Sequence, residues 1–408
     1  MSGLNFLNKL LDGVDVEWLS LGELGDFIRG NGLQKKDFIE SGFPAIHYGQ
    51  IYTRYGLSAD KTFTYVLPEL ANKLRKAQKN DLLLATTSEN DEDVVKPLAW
   101  LGDNVAISGD MMLFRHEQNV KYLAYFFQSE IFQTQKMKYI TGAKVRRVSS
   151  GDLSKIKIPI PCSNNPEKSL AIQSEIVRIL DKFTALTAEL TAELNMRKKQ
   201  YNYYRDQLLS FKEGEVEWKT LGEVAQYSKT RISFELLDER NYVGVDNLLQ
   251  NRAGKSLSNH VPTSGKLTEF IPNDILIGNI RPYLKKIWQA DCIGGTNGDV
   301  LVIRCIDSSI NTRYLYQILA DDKFFEYNMQ HAKGAKMPRG SKEDIMKYPI
   351  PVPPLTLQAR IVEILNKFDT LTNSITEGLP REIELRQKQY EYYRDLLFSF
   401  PKPETVSN

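Results

Sequence analysis

The sequence predicts an α+β protein. We expect two pseudo-repeated mixed α/β domains, separated by two long helices that form an antiparallel coiled coil. Three observations support this fold class. The second half of the 408-residue chain repeats the first, two segments carry the apolar spacing of long helices, and the segments before them mix strand-like and helical runs. The repeat further predicts a cyclic, pseudo-two-fold arrangement of the two copies.

The internal repeat is clearest near the start of each copy. VEWLSLGEL occupies residues 16–24 and VEWKTLGEV residues 216–224, and six of the nine positions are identical. Further matched segments follow in the same order: GDMMLFR at 109–115 and GDVLVIR at 298–304, TGAKV at 141–145 and KGAKM at 333–337, KKQYNYYRDQLLSF at 198–211 and QKQYEYYRDLLFSF at 387–400. This order indicates two copies of one structural unit.

Changes of pattern divide the chain into six segments. We expect an N-terminal helix at 1–13, a first domain at 14–157, a central helix at 158–213, a second domain at 214–347, a distal helix at 348–400 and a flexible tail at 401–408. Short apolar runs such as LLLA and MMLF, bounded by Gly, Asn and Asp, are typical of strands. The domains differ between the copies while the long helices nearly agree. We therefore expect the helices to maintain the architecture and the variable domains to determine which ligand is bound.

Each long helix follows a proline-rich segment and carries apolar residues in steps of three and four, which predicts a coiled-coil seam. The residues predicted to form the interface between the helices are Ile176, Ile179, Phe183, Leu186, Leu190, Leu194, Tyr201, Tyr204, Ile361, Ile364, Phe368, Leu371, Ile375, Leu379, Ile383, Tyr390 and Tyr393. The alternative is that each helix packs on its own domain. Gly378 and Pro380 should interrupt the second helix.

TAELTAEL at 187–194 repeats a four-residue step within the first long helix. Each unit of four adds about 6 Å of helix and relaxes the supercoil. We therefore expect this segment to adjust the length of the helix, and with it the distance between two sites that the domains bind.

Composition narrows the functional classes. With 53 basic and 51 acidic residues the formal charge is only +2, so any nucleic-acid site must be a local basic surface. Three widely spaced cysteines indicate reduced cytoplasmic thiols rather than a disulfide framework or a zinc site. No apolar run approaches the ~20 residues of a membrane span. The chain lacks a phosphate loop and a methyltransferase motif, so we expect no catalytic residue, no metal site and no small-molecule substrate.

Two basic loops at corresponding positions, 142–152 and 331–342, are predicted to contact DNA phosphates or guanine. Their candidate residues are Lys144, Arg146, Arg147, Lys333, Lys336, Arg339 and Lys342. Earlier segments of the two domains add Tyr48, Gln50, Tyr52, Arg54 and Asn247, and GNIRPYLKK at 278–286 adds Arg281, Tyr283, Lys285 and Lys286. For the two basic loops the alternative is an ordinary solvated surface loop, and for the earlier segments it is a strand followed by a polar turn.

The sequence resembles the specificity subunits of type I restriction–modification systems, in particular the IC subgroup. TAELTAEL at 187–194, KKQYNYYRDQLLSFKEGEVEWKTLGE at 198–223 and ELRQKQYEYYRDLLFSFPKPE at 384–404 carry the resemblance. It implies two target recognition domains, each reading one half of a bipartite, asymmetric site in double-stranded DNA, with the number of TAEL units setting the spacer. It also implies a bacterial cytoplasmic protein that carries no catalysis.

The resemblance implies partners as well. Two methylation subunits would use S-adenosylmethionine, and two restriction and translocation subunits would use ATP and Mg²⁺, so no cofactor is expected on this chain. Two other readings stay open at this point. One is a single-chain methyltransferase or nuclease with hidden motifs. The other is a coiled-coil adaptor without direct DNA readout.

Overall fold

The structure is a computed structural model that describes residues 9–11, 13–212, 214–374 and 376–400. It divides into two compact units, residues 1–186 with 386–408 (unit 1) and residues 187–385 (unit 2). Residues 9–11 are helical, while the rest of the predicted N-terminal helix, residues 1–8 and 12, and the predicted tail at 401–408 lie outside the described residues. Leu11, Phe398 and Phe400 share one hydrophobic core, so the helical residues 9–11 pack with the end of the second long helix in unit 1, as the predicted cyclic arrangement requires.

Unit 1 is a mixed α/β domain. Its strands are Val16–Ser20, Gly25–Arg29, Phe43–Ile46, Ser58–Ala59, Thr64–Val66, Lys76–Ala77, Leu82–Ala85, Thr87–Ser88, Lys96–Trp100, Val105–Ile107, Met111–His116, Arg146–Arg147 and Lys157–Pro161. Its shorter helices are Leu21–Leu24, Lys35–Asp37, Tyr48–Thr53, Pro68–Ala71, Val120–Gln128, Glu130–Lys136, Met137–Tyr139 and Ser150–Leu153. Leu82–Ala85 lies at the centre of a five-stranded sheet, between Met111–His116 and Lys96–Trp100. Its side chains alternate between two buried clusters, which explains the unbroken apolar run.

Unit 2 repeats this plan. Its strands are Glu217–Thr220, Ala225–Tyr227, Arg231–Ser233, Tyr242–Val243, Lys266–Phe270, Ile275–Gly278, Ile287–Gln289, Gly294–Thr296, Val300–Cys305 and Pro349–Val352. Its shorter helices are Leu221–Val224, Phe234–Leu236, Pro282–Leu284, Thr312–Leu319, Asp322–Gln330 and Lys342–Ile345. Ile275–Gly278 lies between Val300–Cys305 and Ile287–Gln289, and it too buries both of its faces.

The predicted boundaries at residues 158 and 348 are too early. Strand Lys157–Pro161 pairs with Val16–Ser20, and strand Pro349–Val352 pairs with Glu217–Thr220. The proline-rich segments therefore belong to the domains, where edge strands tolerate proline. The long helices begin only afterwards, at Pro166 and Leu355.

The two long helices differ in continuity. The first, Pro166–Leu209, is one helix of 44 residues that runs through TAELTAEL without a break. The second is divided into Leu355–Asn373 and Gly378–Phe398, which confirms the predicted interruption. Two mixed domains and two long helices together confirm the predicted fold class.

Aromatic stacks join the long helices within each unit. In unit 1 the ring of Phe183 stacks on Tyr393, with centroids 5.1 Å apart. In unit 2 Phe368 stacks on Tyr201 at 5.7 Å and on Tyr204 at 5.5 Å. These stacks place the two long helices side by side in each unit.

Other predicted interface residues pack on the domains, as the alternative reading expected. The Tyr390 hydroxyl donates to Gln128 at 2.9 Å, and the Tyr201 hydroxyl donates to Gln317 at 3.1 Å. Ile176, Ile179 and Ile361 belong to the hydrophobic cores. Of the rest, Leu186 is 38% exposed, and Leu190, Leu194, Ile364, Leu371, Leu379 and Ile383 are half-buried. Their pairing stays a prediction, and Ile375 lies outside the described residues.

No helix within the described ranges is both long enough and apolar enough to cross a membrane.

Candidate nucleic-acid interface

The two predicted basic loops have the same backbone closure. In residues 141–147, the basic loop of unit 1, Thr141 and Arg147 exchange two backbone hydrogen bonds of 2.9 Å each. In residues 333–339, the basic loop of unit 2, Lys333 and Arg339 exchange two bonds of 2.9 and 2.8 Å. Each loop therefore projects five residues from a closed base.

A capped helical turn follows each loop. The Ser149 hydroxyl accepts from the backbone N–H of Asp152 at 3.0 Å, and the Ser341 hydroxyl accepts from that of Asp344 at 3.3 Å. Such caps satisfy an N–H group that the first turn of a helix leaves unpaired. The base of each basic loop is thus closed by backbone hydrogen bonds, and the helical turn that follows it is capped.

The cations of the unit 1 loop divide into two groups. Lys144 and Arg147 are exposed, and within the described residues neither makes an ion pair. Arg146 instead lies 2.7 Å from the carboxylate of Asp91 and donates to the Gly142 carbonyl at 2.5 Å. Arg146 therefore helps to shape the loop, while 35% of its side chain remains accessible. Its contact with DNA stays a prediction, because a guanidinium has further N–H groups to donate.

The unit 2 loop has more accessible charge. Lys333 and Lys336 in the loop are exposed, and so is Lys342 in the helical turn that follows it. Arg339 donates to Asp299 at 2.6 Å, yet 53% of its side chain remains accessible. Because a guanidinium has five N–H groups, Arg339 can keep this bond and still donate to a ligand.

The unit 1 loop rests on residues 85–95, which the structure fixes at several points. Arg146–Arg147 pairs with strand Thr87–Ser88. The Tyr52 hydroxyl lies 2.9 Å from the Thr87 carbonyl, and burial raises the pKa of Tyr52. Lys136 is buried and donates to the carbonyls of Glu92 at 2.9 Å and Val94 at 3.0 Å. The predicted DNA contact at Tyr52 is therefore corrected to support of this segment.

The neighbouring helix Tyr48–Thr53 was expected to carry base-reading residues. Gln50 is 9% exposed, accepts from the N–H of His47 at 2.8 Å and donates to Thr64 at 3.1 Å. Its amide closes the N-terminus of the helix, so the structure argues against base readout by Gln50. Tyr48 is half-buried and Arg54 is exposed, so both stay candidates.

In unit 2 the turn at Arg281–Lys285 lies beside the basic loop. The N–H of Arg281 donates to the Pro338 carbonyl at 2.7 Å, and Ile280 forms a bridge with Arg339. Arg281 is exposed and Tyr283 is 50% exposed. The structure thus brings these two predicted residues to the loop, although they lie far from it in sequence.

Three other predicted residues of unit 2 have structural roles. Asn247 is 3% exposed, accepts from Gly244 at 2.6 Å and donates to two carbonyls at 3.0 Å. Lys286 is 8% exposed and donates to Val245, while Lys285 donates to Asp322 at 2.7 Å. The predictions of DNA contact by Asn247 and Lys286 are corrected, because their polar atoms are occupied inside the domain. Lys285 keeps 30% of its side chain accessible beside Asp322, so its contact with DNA stays a prediction.

No group of three or more His, Cys, Asp or Glu side chains is arranged to hold a metal ion in the part of the chain that the structure describes.

Comparison with known proteins decides the family. The family described as "Type I restriction modification DNA specificity domain" matches the sequence twice, over residues 13–197 and 213–385. The chain belongs to this family. It is a DNA specificity subunit, a non-catalytic component that recognises DNA sequence in a type I restriction–modification system.

Two curated Escherichia coli proteins are similar over nearly their whole lengths. The chain is 43% identical to the type I restriction enzyme EcoR124I/EcoR124II specificity subunit, covering 100% of both proteins. It is 32% identical to the EcoprrI specificity subunit, covering 92% of this chain and 93% of that one. Among solved structures, the type I restriction–modification S subunit from M. genitalium has a TM-score of 0.56 at 15% identity, covering 96% of this chain and 98% of that one. This last likeness concerns the fold.

Several residues of the basic loops and their supports are not among those predicted from the sequence. Asp91 and Asp299 hold the arginines of the loops, but nothing in the sequence pairs a carboxylate with an arginine 55 or 40 residues away. Val145 and Met337 are exposed at the loop tips. These two could have been found, because TGAKV and KGAKM end on them.

Proposed function

We propose that each specificity domain binds one half of a bipartite, asymmetric site in double-stranded DNA through its basic loop. The observation that carries this proposal is the recurrence of one closed loop in both domains, with an exposed lysine at the same position, Lys144 and Lys336. Lysine and arginine on a projecting loop suit phosphate oxygens, which supply most of the affinity of such contacts.

The surroundings of the two loops support an asymmetric site. Beside its loop, the second domain offers the exposed Arg281 and Tyr283. In the first domain, Tyr48 and Arg54 stay candidates on the helix Tyr48–Thr53. Different polar side chains read different base edges, so two halves with unlike sequences are expected. We further propose that the TAEL units of the first long helix set the length of the spacer between the halves.

The proposal includes partners that carry the chemistry. Two methylation subunits would bind S-adenosylmethionine, and two restriction and translocation subunits would bind ATP and Mg²⁺. The names of the relatives as subunits of type I restriction enzymes support this division of labour. We propose the bacterial cytoplasm as the location, and the three free cysteines are consistent with a reducing compartment.

The test begins with the target sequence, obtained by mapping methylated adenines in cells that carry the full system. The assembled complex is then footprinted on that duplex with Lys144→Gln/Arg147→Gln or with Lys336→Gln/Lys342→Gln. Each double variant should weaken protection of one half-site only, by about tenfold or more at physiological salt. Each should also reduce the slope of log affinity against log salt by about two.

The matched control is Lys367→Gln, which removes an exposed charge that pairs with Glu363 on the second long helix. This variant should protect both half-sites like the parent. Equal weakening of both half-sites by either double variant would refute the assignment of one loop to each half. Unchanged footprints with both double variants would favour an adaptor without direct DNA readout.

A further inference from the structure

Each basic loop carries an exposed apolar side chain next to its lysine. Val145 is 45% exposed and Met337 is 50% exposed. Both follow Gly-Ala-Lys, and both are followed two residues later by the arginine that closes the loop. A single exposed apolar residue is ordinary on a protein surface. The same exposure recurs at the same loop position in two domains whose other candidate DNA-contact residues differ.

The backbone of each loop holds the apolar residue at the tip. Gly142 and Gly334 have φ angles of +94° and +101°, which favour glycine. A Cβ atom at Gly142 would lie 2.1 Å from the carbonyl oxygen of Val145, and one at Gly334 would lie 3.2 Å from that of Met337. Each loop thus folds its glycine against the peptide group of the apolar residue, so the side chain is presented by a fixed turn.

Charge surrounds both tips. Lys144 precedes Val145 and Arg147 follows it, while Lys336 and Arg339 flank Met337. If these cations bind phosphates, the residue between them faces the groove. A phosphodiester chain offers little apolar surface, whereas bases offer thymine methyl groups and, where a step opens, their ring faces.

We propose that Val145 and Met337 make apolar contacts with bases, one in each half-site, while the flanking cations anchor the loop to phosphates. This inference rests on the proposed function of the loops. Valine is short and branched, whereas methionine is long and flexible, so the two tips favour different base steps. The tips therefore contribute to the sequence preference of the halves, and not only to affinity.

The test uses Val145→Thr and Met337→Gln, which keep side-chain size and introduce polarity on exposed tips. In the assembled complex each variant should lose about three- to tenfold in affinity, at its own half-site only. The slope of log affinity against log salt should stay that of the parent, because no phosphate contact is removed. Lys144→Gln and Lys336→Gln are the matched comparisons, and each should lower that slope by about one.

Two modified duplexes distinguish the kinds of base contact. Uracil in place of thymine removes the methyl group. If a tip contacts that methyl group, the uracil duplex should weaken binding by the parent as much as the tip substitution does. It should not weaken binding by the tip variant any further. If a tip opens a base step, 2-aminopurine at the step should brighten with the parent and not with the variant.

Each remaining outcome has a definite meaning. If both tip variants bind DNA as tightly as the parent while the lysine variants bind more weakly, the apolar contact is refuted and the proposed function stands. Parent-like affinity of the tip and lysine variants alike would overturn both. Tip variants that bind DNA like the parent but fail to retain a partner subunit would assign the tips to a protein contact, which also overturns the inference.

Discussion

At the scale of single residues, an ion pair between an arginine and a buried aspartate recurs in both domains. Arg304 donates to Asp274 through Nε at 2.9 Å and Nη2 at 2.7 Å, and Arg115 donates to Asp81 at 3.1 and 2.7 Å. Asp81 and Asp274 are each 2% exposed. A planar guanidinium that meets both carboxylate oxygens fixes the turn before an inner strand against the neighbouring strand, because each aspartate immediately precedes an inner strand and each arginine lies on the strand beside it.

Removal of one member of this pair should destabilise the second domain. Asp274→Asn keeps the side-chain shape but leaves Arg304 without its counter-charge, so we expect a loss of about 2–3 kcal/mol. Denaturant unfolding of the full chain measures it, with Glu363→Gln as the control. Glu363 pairs with Lys367 on the surface, and its loss should cost under about 1 kcal/mol. Equal effects of both changes would contradict a structural role for this ion pair.

His116 makes the first domain sensitive to acid. Burial lowers the pKa of His116 to about 4, and its Nδ1 accepts from the N–H of Gln118 at 3.1 Å. The unfolded chain binds a proton near pH 6.5 and the folded chain does not. Stability is therefore full above pH 6.5 and falls as the pH drops toward 4.

We accordingly expect His116→Gln to remove part of this pH dependence, about 1–2 kcal/mol between pH 7 and pH 5. Thermal unfolding at a series of pH values would report it. His260→Gln, at an exposed histidine, should retain the slope of the parent. An unaltered slope in the His116 variant would mean that other groups cause the acid sensitivity.

The sequence identifies accessible cations better than it identifies polar readers of bases. Lys144 and Lys336 could be predicted, because lysine on a glycine-containing loop is exposed by default. Gln50 and Asn247 could not, because their buried amides bond to groups that only folding brings near them. For Asn247 one such group is the carbonyl of Ser256, at 3.0 Å. An amide side chain in a polar segment gives the same sequence pattern whether it closes a turn or reads a base.

At the scale of elements, the break in the second long helix depends on one glycine. Gly378 has φ +74°, and a Cβ atom there would lie 2.4 Å from the Thr370 carbonyl and 2.8 Å from that of Leu371. The chain therefore turns back against the end of Leu355–Asn373 before the next helix begins. Glycine is required both for the left-handed φ angle and for the close approach.

Gly378→Ala should lower the free energy of unfolding by more than the left-handed φ angle alone explains. Gly265 provides the matched control in the same unit, since it has φ +91° and open space where its Cβ would lie. We expect Gly265→Ala to cost about 1 kcal/mol and Gly378→Ala at least twice as much. Denaturant unfolding of the two variants measures the difference. Equal costs would show that the helix ends can move apart freely.

The order of elements was largely predictable from the sequence, but their boundaries were not. The repeat and the three-and-four spacing predicted both long helices, and Gly378 with Pro380 predicted the break. The predicted segment bounds group IPIP and YPIP with the helices that follow them, although both form strands of the domains. Their pairing partners, Val16–Ser20 and Glu217–Thr220, lie more than a hundred residues earlier. A local pattern of prolines cannot show a strand whose hydrogen bonds are made with so distant a segment.

At the scale of the whole molecule, the repeat makes the two units nearly the same fold while leaving their ligand surfaces unlike. Gln173 accepts from the N–H of Asn119 at 3.0 Å, and Gln358 accepts from that of Asn311 at 2.8 Å. Each of these bonds ties the start of a long helix to its domain. Such constant contacts allow the loops to vary, because the domain stays attached however its ligand surface changes.

A change in the length of the first long helix should change the preferred length of the DNA spacer between the two half-sites. Deletion of Thr187–Leu190 removes one TAEL unit from an unbroken helix, shortening it by about 6 Å and changing its phase by about 40°. At about 3.4 Å and one-tenth of a turn per base pair, both changes correspond to one or two base pairs. We expect the assembled complex to prefer a spacer shorter by that amount. Adenine methylation of a series of duplexes with graded spacers would measure the preference.

Replacement of Thr187–Leu190 by Ala-Ala-Ala-Leu is the control, since it changes composition at constant helix length. It should keep the spacer of the parent, because alanine is a strong helix former and only the residue count sets the rise. If the deletion variant methylates the parental spacer best, the helix length does not set the distance. If the control shifts the preference as the deletion does, the side chains of the TAEL segment act through contacts, and the geometric account fails.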